Sequence, residues 1–283
     1  MARTKAISML QAASTKADLA EIYGIVVDNV MKDTLSSVLK SKKYTGDPAA
    51  GSVEYKRFAS SQAKAYGTAR TANKGDALKV PPVTCNLNVH KEIVEECAKN
   101  DLDRLGAARI MARRAEDHID TMTSELDIAF FATAAAAATE LTLTATEPIE
   151  QVEEAMVTLE TVKNEFVKGT NRINHAVVCS PKFYSKIRND LDSRPNANVD
   201  TAAEEFGMFH GGKVYSSINL PEGIDFIIMH KDSIGQPVSM DQYSDPEKIP
   251  LSNDYAVSLF YDYGTAAITP DLIFKKSADE DGD

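Results

Sequence analysis

Residues 101–138 read DLDRLGAARIMARRAEDHIDTMTSELDIAFFATAAAAA. Apolar side chains recur at Leu105, Ala108, Met111, Ala115, Ile119, Met122, Leu126 and Ala129, three or four residues apart, the period of one face of an α-helix. Arg109, Arg113, Glu116, Asp117 and Asp120 take the other face, and no proline interrupts the run. Asp101 or Asp103 is placed to cap the start, and the alanines from Ala134 to Ala138 have the highest helix propensity of any residue. At about 1.5 Å per residue this helix would be roughly 50 Å long, more than the width of most compact domains. It is expected to act as a spine with other elements laid across it.

Upstream, Leu19, Tyr23, Val26, Val30 and Val38 mark a second helical stripe between residues 18 and 40, with Ser14 or Thr15 as caps. The basic tract Lys40-Ser41-Lys42-Lys43 reads as a solvated helix C-terminus that complements the helix dipole, in preference to a nucleic-acid patch. After a break at residues 46–51, Val53 and Tyr55 alternate as in a strand, with Phe58 close by. A tight-turn signal stands at Asn73-Lys74-Gly75-Asp76, and the chain returns through Val83, Cys85, Leu87 and Val89. Pro81 and Pro82 confine that return strand to an edge or bulged position. Residues 52–89 therefore form a long antiparallel excursion whose outer part, 60–77, has too few apolar groups for a core of its own. It either lies on a neighbouring subunit or is a loose surface loop.

Downstream the pattern becomes that of an α/β lobe. Leu141 to Thr144 is a short β-like piece. Pro148 opens a helix with the stripe Ile149, Val152, Met156, Leu159, Val162 and Phe166, ended by Gly169. His175-Ala176-Val177-Val178-Cys179 reads as a buried strand, and Ser180-Pro181 caps a helix carrying Phe183, Ile187 and Leu191. Further strands are expected over 213–217, 225–229, 255–263 and 267–274, and the acidic tail 279–283 is expected to be disordered.

A chain of 283 residues holds two ordinary domains or one elongated body with appendages. With 43% apolar and 26% charged residues it is a folding sequence, and no apolar run reaches bilayer-spanning length. Ser8, Gln11 and Ser14 interrupt the N-terminal segment, so it is not a secretory signal, and cytoplasmic synthesis is expected. The cysteines Cys85, Cys97 and Cys179 are odd in number and widely spaced, which indicates neither a disulfide framework nor a zinc site. The net charge of −11 argues against a broad phosphate-binding surface, although a mildly repulsive lining is compatible with enclosing DNA.

Catalytic signals are missing. His90, His118, His175, His210 and His230 form no metal-ligand spacing, and His118 reads as structural, within reach of Glu125 or Asp117. Phosphate-binding glycine loops and the GxSxG elbow are not found. Cys179, at a strand end beside Ser180, is the one conceivable nucleophile. No catalytic residue, cofactor or metal is expected.

In order, several segments resemble the major capsid proteins of tailed bacteriophages, the Hong Kong 97-type fold. They are Val53-Glu54-Tyr55-Lys56-Arg57-Phe58 through Ala65-Tyr66-Gly67-Thr68-Ala69-Arg70, then Glu92-Ile93-Val94-Glu95-Glu96. Ala112-Arg113-Arg114-Ala115-Glu116, Glu125-Leu126-Asp127, and Val177-Val178-Cys179-Ser180-Pro181-Lys182-Phe183-Tyr184 follow. The series closes with Tyr261-Asp262-Tyr263-Gly264 and Ile268-Thr269-Pro270. Each motif is short and degenerate; their order along nearly the whole chain is the specific part.

The resemblance implies an α+β fold with an N-terminal arm (1–51), an E-loop (52–89), a P-domain holding the spine (90–144), an A-domain (145–240), and P-domain return strands with the tail (241–283). It implies a virion subunit that assembles with itself as hexamers and pentamers around double-stranded DNA, without sequence-specific binding or a membrane. Scaffold, portal and decoration proteins are further implied partners. The short segment before the E-loop favours a separate scaffold, or none, over a built-in one. Glu54, Arg57, Arg70 and Lys74 are the expected inter-subunit contacts, because an extended arm without a core must find partners elsewhere. Lys74 and Asn73 match side chains that crosslink in some relatives, but no catalytic carboxylate for that chemistry is identified. Two other readings stay open: an encapsulin-like nanocompartment shell around an enzyme cargo, and a soluble α/β enzyme relying on Cys179.

Overall fold

The computed structural model describes residues 13–61, 63–68, 79–193, 208–209 and 211–278. The first half of the chain runs through α1 (Ala13–Asp33), α2 (Leu35–Leu39), β1 (Ser52–Lys56), β2 (Pro82–Asn86), β3 (Val89–Cys97), α3 (Lys99–Leu105), α4 (Ala107–Ala137) and β4 (Thr139–Glu140). Next come α5 (Pro148–Glu160), β5 (His175–Cys179), α6 (Pro181–Ser193), β6 (Met208–Phe209), β7 (Gly212–Ser216) and β8 (Ile224–His230). The chain ends with β9 (Ile234–Gly235), β10 (Val238–Met240), β11 (Glu247–Lys248), β12 (Tyr255–Tyr263), β13 (Ala266–Ala267) and β14 (Ile273–Ser277).

The spine is α4, 31 residues and so about 46 Å. It is shorter than the sequence suggested because Gly106 takes φ 81°, a conformation open to glycine and disfavoured for other residues, and this splits off α3. The two halves of α4 serve different cores. Met111, Ala115, Ile119, Met122 and Leu126 pack against α1, β3 and β12, whereas Phe130, Phe131, Ala134 and Ala135 lie under β5, β8 and β14. Residues 13–33 are helical, as the upstream stripe predicts over most of this span, and Leu19, Ile22, Val26 and Val30 seat α1 along the spine. Ser14 and Thr15 lie inside α1 (Ala13–Asp33), not ahead of it. The upstream stripe breaks at Thr34, and Asp127 of the spine caps the new helix by accepting from Ser36 N at 2.8 Å and Leu35 N at 3.3 Å. Burial raises the Asp127 carboxyl pKa, although these backbone bonds and Lys40 work the other way.

Two sheets flank the spine. In the first, β3 pairs with β12 from Val89↔Tyr263 to Cys97↔Tyr255, and β10 and β11 pair along the other edge of β12. Alternation turns Val257, Leu259, Tyr261 and Tyr263 inward and leaves Phe260 outside. The second has the order β4-β14-β8-β5-β7-β6. Its central strand β5 is buried along its whole length, with α5 and α6 over one face and the C-terminal half of α4 under the other. Ser180 caps α6 as expected, accepting from Phe183 N at 3.2 Å.

Topology redraws some expected boundaries. The stretch 267–274 is not one strand: a 3-10 turn (Pro270–Leu272) separates β13 from β14, and β14 joins the six-stranded sheet beside β8. Strand β10, within 145–240, belongs to the sheet of the spine. Helix α5 ends at Glu160, so Val162 and Phe166 fall in the following loop. The turn at 73–76, His210 and the tail 279–283 lie outside the described residues.

Candidate functional site: the root of the excursion

β1 and β2 pair antiparallel from Ser52↔Asn86 to Lys56↔Pro82, as the alternation in the sequence required. Their inward side chains Val53, Tyr55 and Cys85 form a small core with Ile268. Gly264 makes this seating possible, because a Cβ there would overlap the carbonyl of Asn86. Farther out the side chains are open: Phe58 is 59% and Tyr66 95% exposed.

The residues expected to contact a neighbour are placed differently from one another. Glu54 faces solvent on β1, opposite Thr84, and its backbone exchanges hydrogen bonds with Thr45 at 2.8 and 2.9 Å. Arg57 is turned into its own chain, with Nη2 2.5 Å from Asp271 Oδ2 and the guanidinium 4.0 Å from the centre of the Phe166 ring. Arg70 and Lys74, like Asn73, lie outside the described residues. Sequence reading missed the partners of Arg57, since residues 166 and 271 carry no periodic signal that points to 57.

Residues 163–168 form the other side of this site. Asn164 Oδ1 accepts from Phe166 N at 2.9 Å and Val167 N at 2.8 Å, fixing a tight loop, and Asn164 Nδ2 donates to Asp271. Ser60 N donates to Glu165 O at 2.9 Å, Lys79 Nζ lies 2.5 Å from Glu165 Oε1, and Lys168 Nζ donates to Ser61 O. Outbound and return segments of the excursion are thus held by one loop.

The groups weighed for catalysis are engaged elsewhere. His118 is buried, with Nδ1 2.7 Å from Tyr243 Oη and Nε2 3.0 Å from Glu95 Oε1. It meets neither Asp117 nor Glu125; Asp117 pairs with Arg114, and Glu125 with Lys91 and Tyr263. Burial pushes the Glu95 carboxyl up, but the hydrogen bonds from His118 and Arg114 outweigh it and leave its pKa lowered. Cys179 is fully buried, and burial followed by the nearby Asp225 charge raises its thiol pKa, the reverse of what a nucleophile needs. Among the described residues no cluster of three or more His, Cys, Asp or Glu could hold a metal, and no helix is long and apolar enough to cross a membrane.

No protein-family model matches the sequence, and no curated protein matches it. Solved structures do. The capsid of cyanophage P-SCSP1u superposes with a TM-score of 0.62 at 12% identity, covering 87% of this chain and 88% of that one. The structure of Mycobacterium phage Che8 gives 0.58 at 15% identity over 84% and 93% of the two chains. The chain has the Hong Kong 97-type capsid fold. A virus-like particle from Pyrococcus furiosus shares this fold with a TM-score of 0.55 at 14% identity, over 91% of this chain and 98% of that one.

Proposed function

We propose that this chain is a self-assembling shell subunit, the major capsid protein of a tailed-phage head. The observation that carries the reading is the capsid-type fold across 84–91% of the chain in the three structures compared, together with an excursion whose outer aromatic side chains, Phe58 and Tyr66, its own body leaves exposed. Copies associate as hexamers and pentamers, the spine with its four-stranded sheet serving as P-domain, the six-stranded lobe as A-domain and the excursion as E-loop. The excursion lies over the P-domain of a neighbour. Charge supports that arrangement: residues 56–79 carry six basic side chains and one acidic, and the outer face of the four-stranded sheet carries Glu92, Glu96 and Asp262 around Val94 and Phe260. Glu54, Arg70 and Lys74 supply inter-subunit charge pairs; Arg57 is occupied by Asp271 of its own chain. Repeating such modest interfaces around symmetry axes stabilises a closed particle.

Negative-stain microscopy and sedimentation of the purified protein test this. Closed shells are expected, and deleting residues 60–77 should leave a folded subunit that cannot close them. A monomer at every concentration and salt tried would end the proposal. The match to the Pyrococcus furiosus particle, spanning nearly the whole of both chains, favours a second reading as a nanocompartment shell. DNA or a protein cargo inside purified particles separates the two.

A further inference from the structure

The excursion leaves the body at a place built to hold it. Residues 161–168 are closed at their own root: Arg172 bonds Glu153 at 2.7 Å and Glu160 at 2.9 Å, and Thr170 N donates to Glu160 O at 3.2 Å. The loop is therefore part of the six-stranded lobe, and so is Asp271, which stands just before β14. From this base the lobe grips the outbound segment at Arg57, Ser60 and Ser61 and the return segment at Lys79. The two segments are also tied to each other, by Ala59 N to Lys79 O at 3.0 Å and Arg57 N to Pro81 O at 3.4 Å. Arg57 is the centre of the grip and is only 15% exposed, whereas the flanking Lys79–Glu165 pair is largely solvated.

We propose that residues 161–168 and Asp271 are a clasp, with Arg57 as its positioning residue, that fixes the direction in which the excursion leaves the subunit before a second copy is met. The inference rests on the shell-subunit reading and adds a device to it. An arm held in one direction loses less conformational freedom on association than a free one, so the clasp lowers the entropy cost of each contact between copies. It also makes the reach of one copy toward the next depend on the orientation of the six-stranded lobe. The Arg57–Asp271 pair is less exposed than the Lys79–Glu165 pair, and it is incompletely satisfied: Arg57 Nε and Asp271 Oδ1 are buried without a partner among the described residues, while Asp271 Oδ2 is shared by Arg57 and Asn164. A charge pair satisfied at one atom on each side can be opened by a single substitution.

The test compares the wild-type protein with Arg57→Ala, Asp271→Ala and the exchanged pair Arg57→Asp/Asp271→Arg. Hydrogen exchange on the unassembled protein should speed up at least fivefold over 57–61 and 79–86 in both single variants, with the rest of the chain unchanged. Shell assembly of these variants should need several-fold more protein, or give particles of mixed diameter, and the exchanged pair should recover part of both losses. Exchange at wild-type rates in the single variants overturns the clasp, and so does faster exchange with wild-type assembly and particle size. If a single variant fails to fold, Phe166→Leu, which removes only the ring beneath the guanidinium, takes its place with the same two readouts. Should the wild-type protein form no shells, the shell reading fails, and the exchange rates alone then decide whether the lobe holds the excursion.

Discussion

The two sheets that flank the spine are finished to different degrees. The six-stranded sheet is closed by its own chain: β5 is buried at every residue, with Phe183, Ile187 and Met156 on one side and Phe130, Phe131 and Ile227 on the other. The four-stranded sheet is covered on one face only, and its outer face leaves Val94 48% and Phe260 43% exposed among carboxylates. The first sheet supplies stability that a lone subunit can use. The second presents apolar and charged surface whose value appears only when something covers it.

The largest expected effect lies in the closed sheet. Phe130 is fully buried where the spine passes beneath it. Phe130→Ala should lower the unfolding free energy of the unassembled subunit by about 3–5 kcal/mol in urea titrations, through lost burial and the cavity left behind. A loss below about 1 kcal/mol would show that this core is not what holds the lobe together.

Next in size is an acid effect in the same sheet. His175 is fully buried, its Nε2 2.8 Å from Thr170 Oγ1, and burial followed by repulsion from His230 lowers its pKa from 6.5 to about 4. Below pH 6.5 the unfolded chain takes up a proton that the native site accepts only near pH 4. Stability should therefore fall with pH across that window, by up to about 3 kcal/mol. Urea midpoints of the wild-type protein and His175→Leu between pH 7 and pH 4.5 check this, the variant giving the shallower slope.

The same contrast explains what could be read in the sequence. β5 announced itself because a strand covered on both faces is an unbroken apolar run. β12 did so because one covered face gives strict alternation. Its partner β3 was not recognised as a strand, because its inward face carries Lys91 and Glu95. Those charges are met from the spine, Lys91 by Glu125 at 2.9 Å and Glu95 by His118 and Arg114 at 3.0 Å. A charge on the inward face of a strand, satisfied by a distant helix, looks in sequence like any other surface charge. The clasp was hidden for a related reason, since Arg57 and Asp271 stand 214 residues apart. Gly106, by contrast, stands in plain view inside the helical stripe, where the apolar period continues on both sides and masks the break.

On the open sheet the expected effect separates into two readouts. Phe260→Ser changes a side chain that its own chain leaves 43% exposed, so the subunit alone should keep its stability to within about 0.5 kcal/mol, and the proposed assembly should be what suffers. Shell yield by sedimentation should nevertheless fall several-fold. A large loss of subunit stability with unchanged yield would reverse the roles assigned to the two sheets.

The smallest effect is expected where α1 meets the open sheet's side of the molecule. Lys16 Nζ lies 2.7 Å from Asp245 Oδ2, a good ion-pair distance, but the two side chains are 53% and 61% exposed. Water screens such a pair, and holding two long side chains in one geometry offsets most of what remains. The helix is seated instead by Leu19, Ile22, Val26 and Val30 against the spine, with Tyr23 Oη donating to Met240 O at 3.0 Å. Lys16→Ala/Asp245→Ala should therefore shift the urea midpoint by less than the equivalent of about 0.5 kcal/mol. Val26→Ala, which removes methyl groups from a fully buried site, should cost more. If the surface pair proved the costlier of the two, α1 would be held to the spine by charge, and its seat would weaken in high salt in a way that an apolar seat does not.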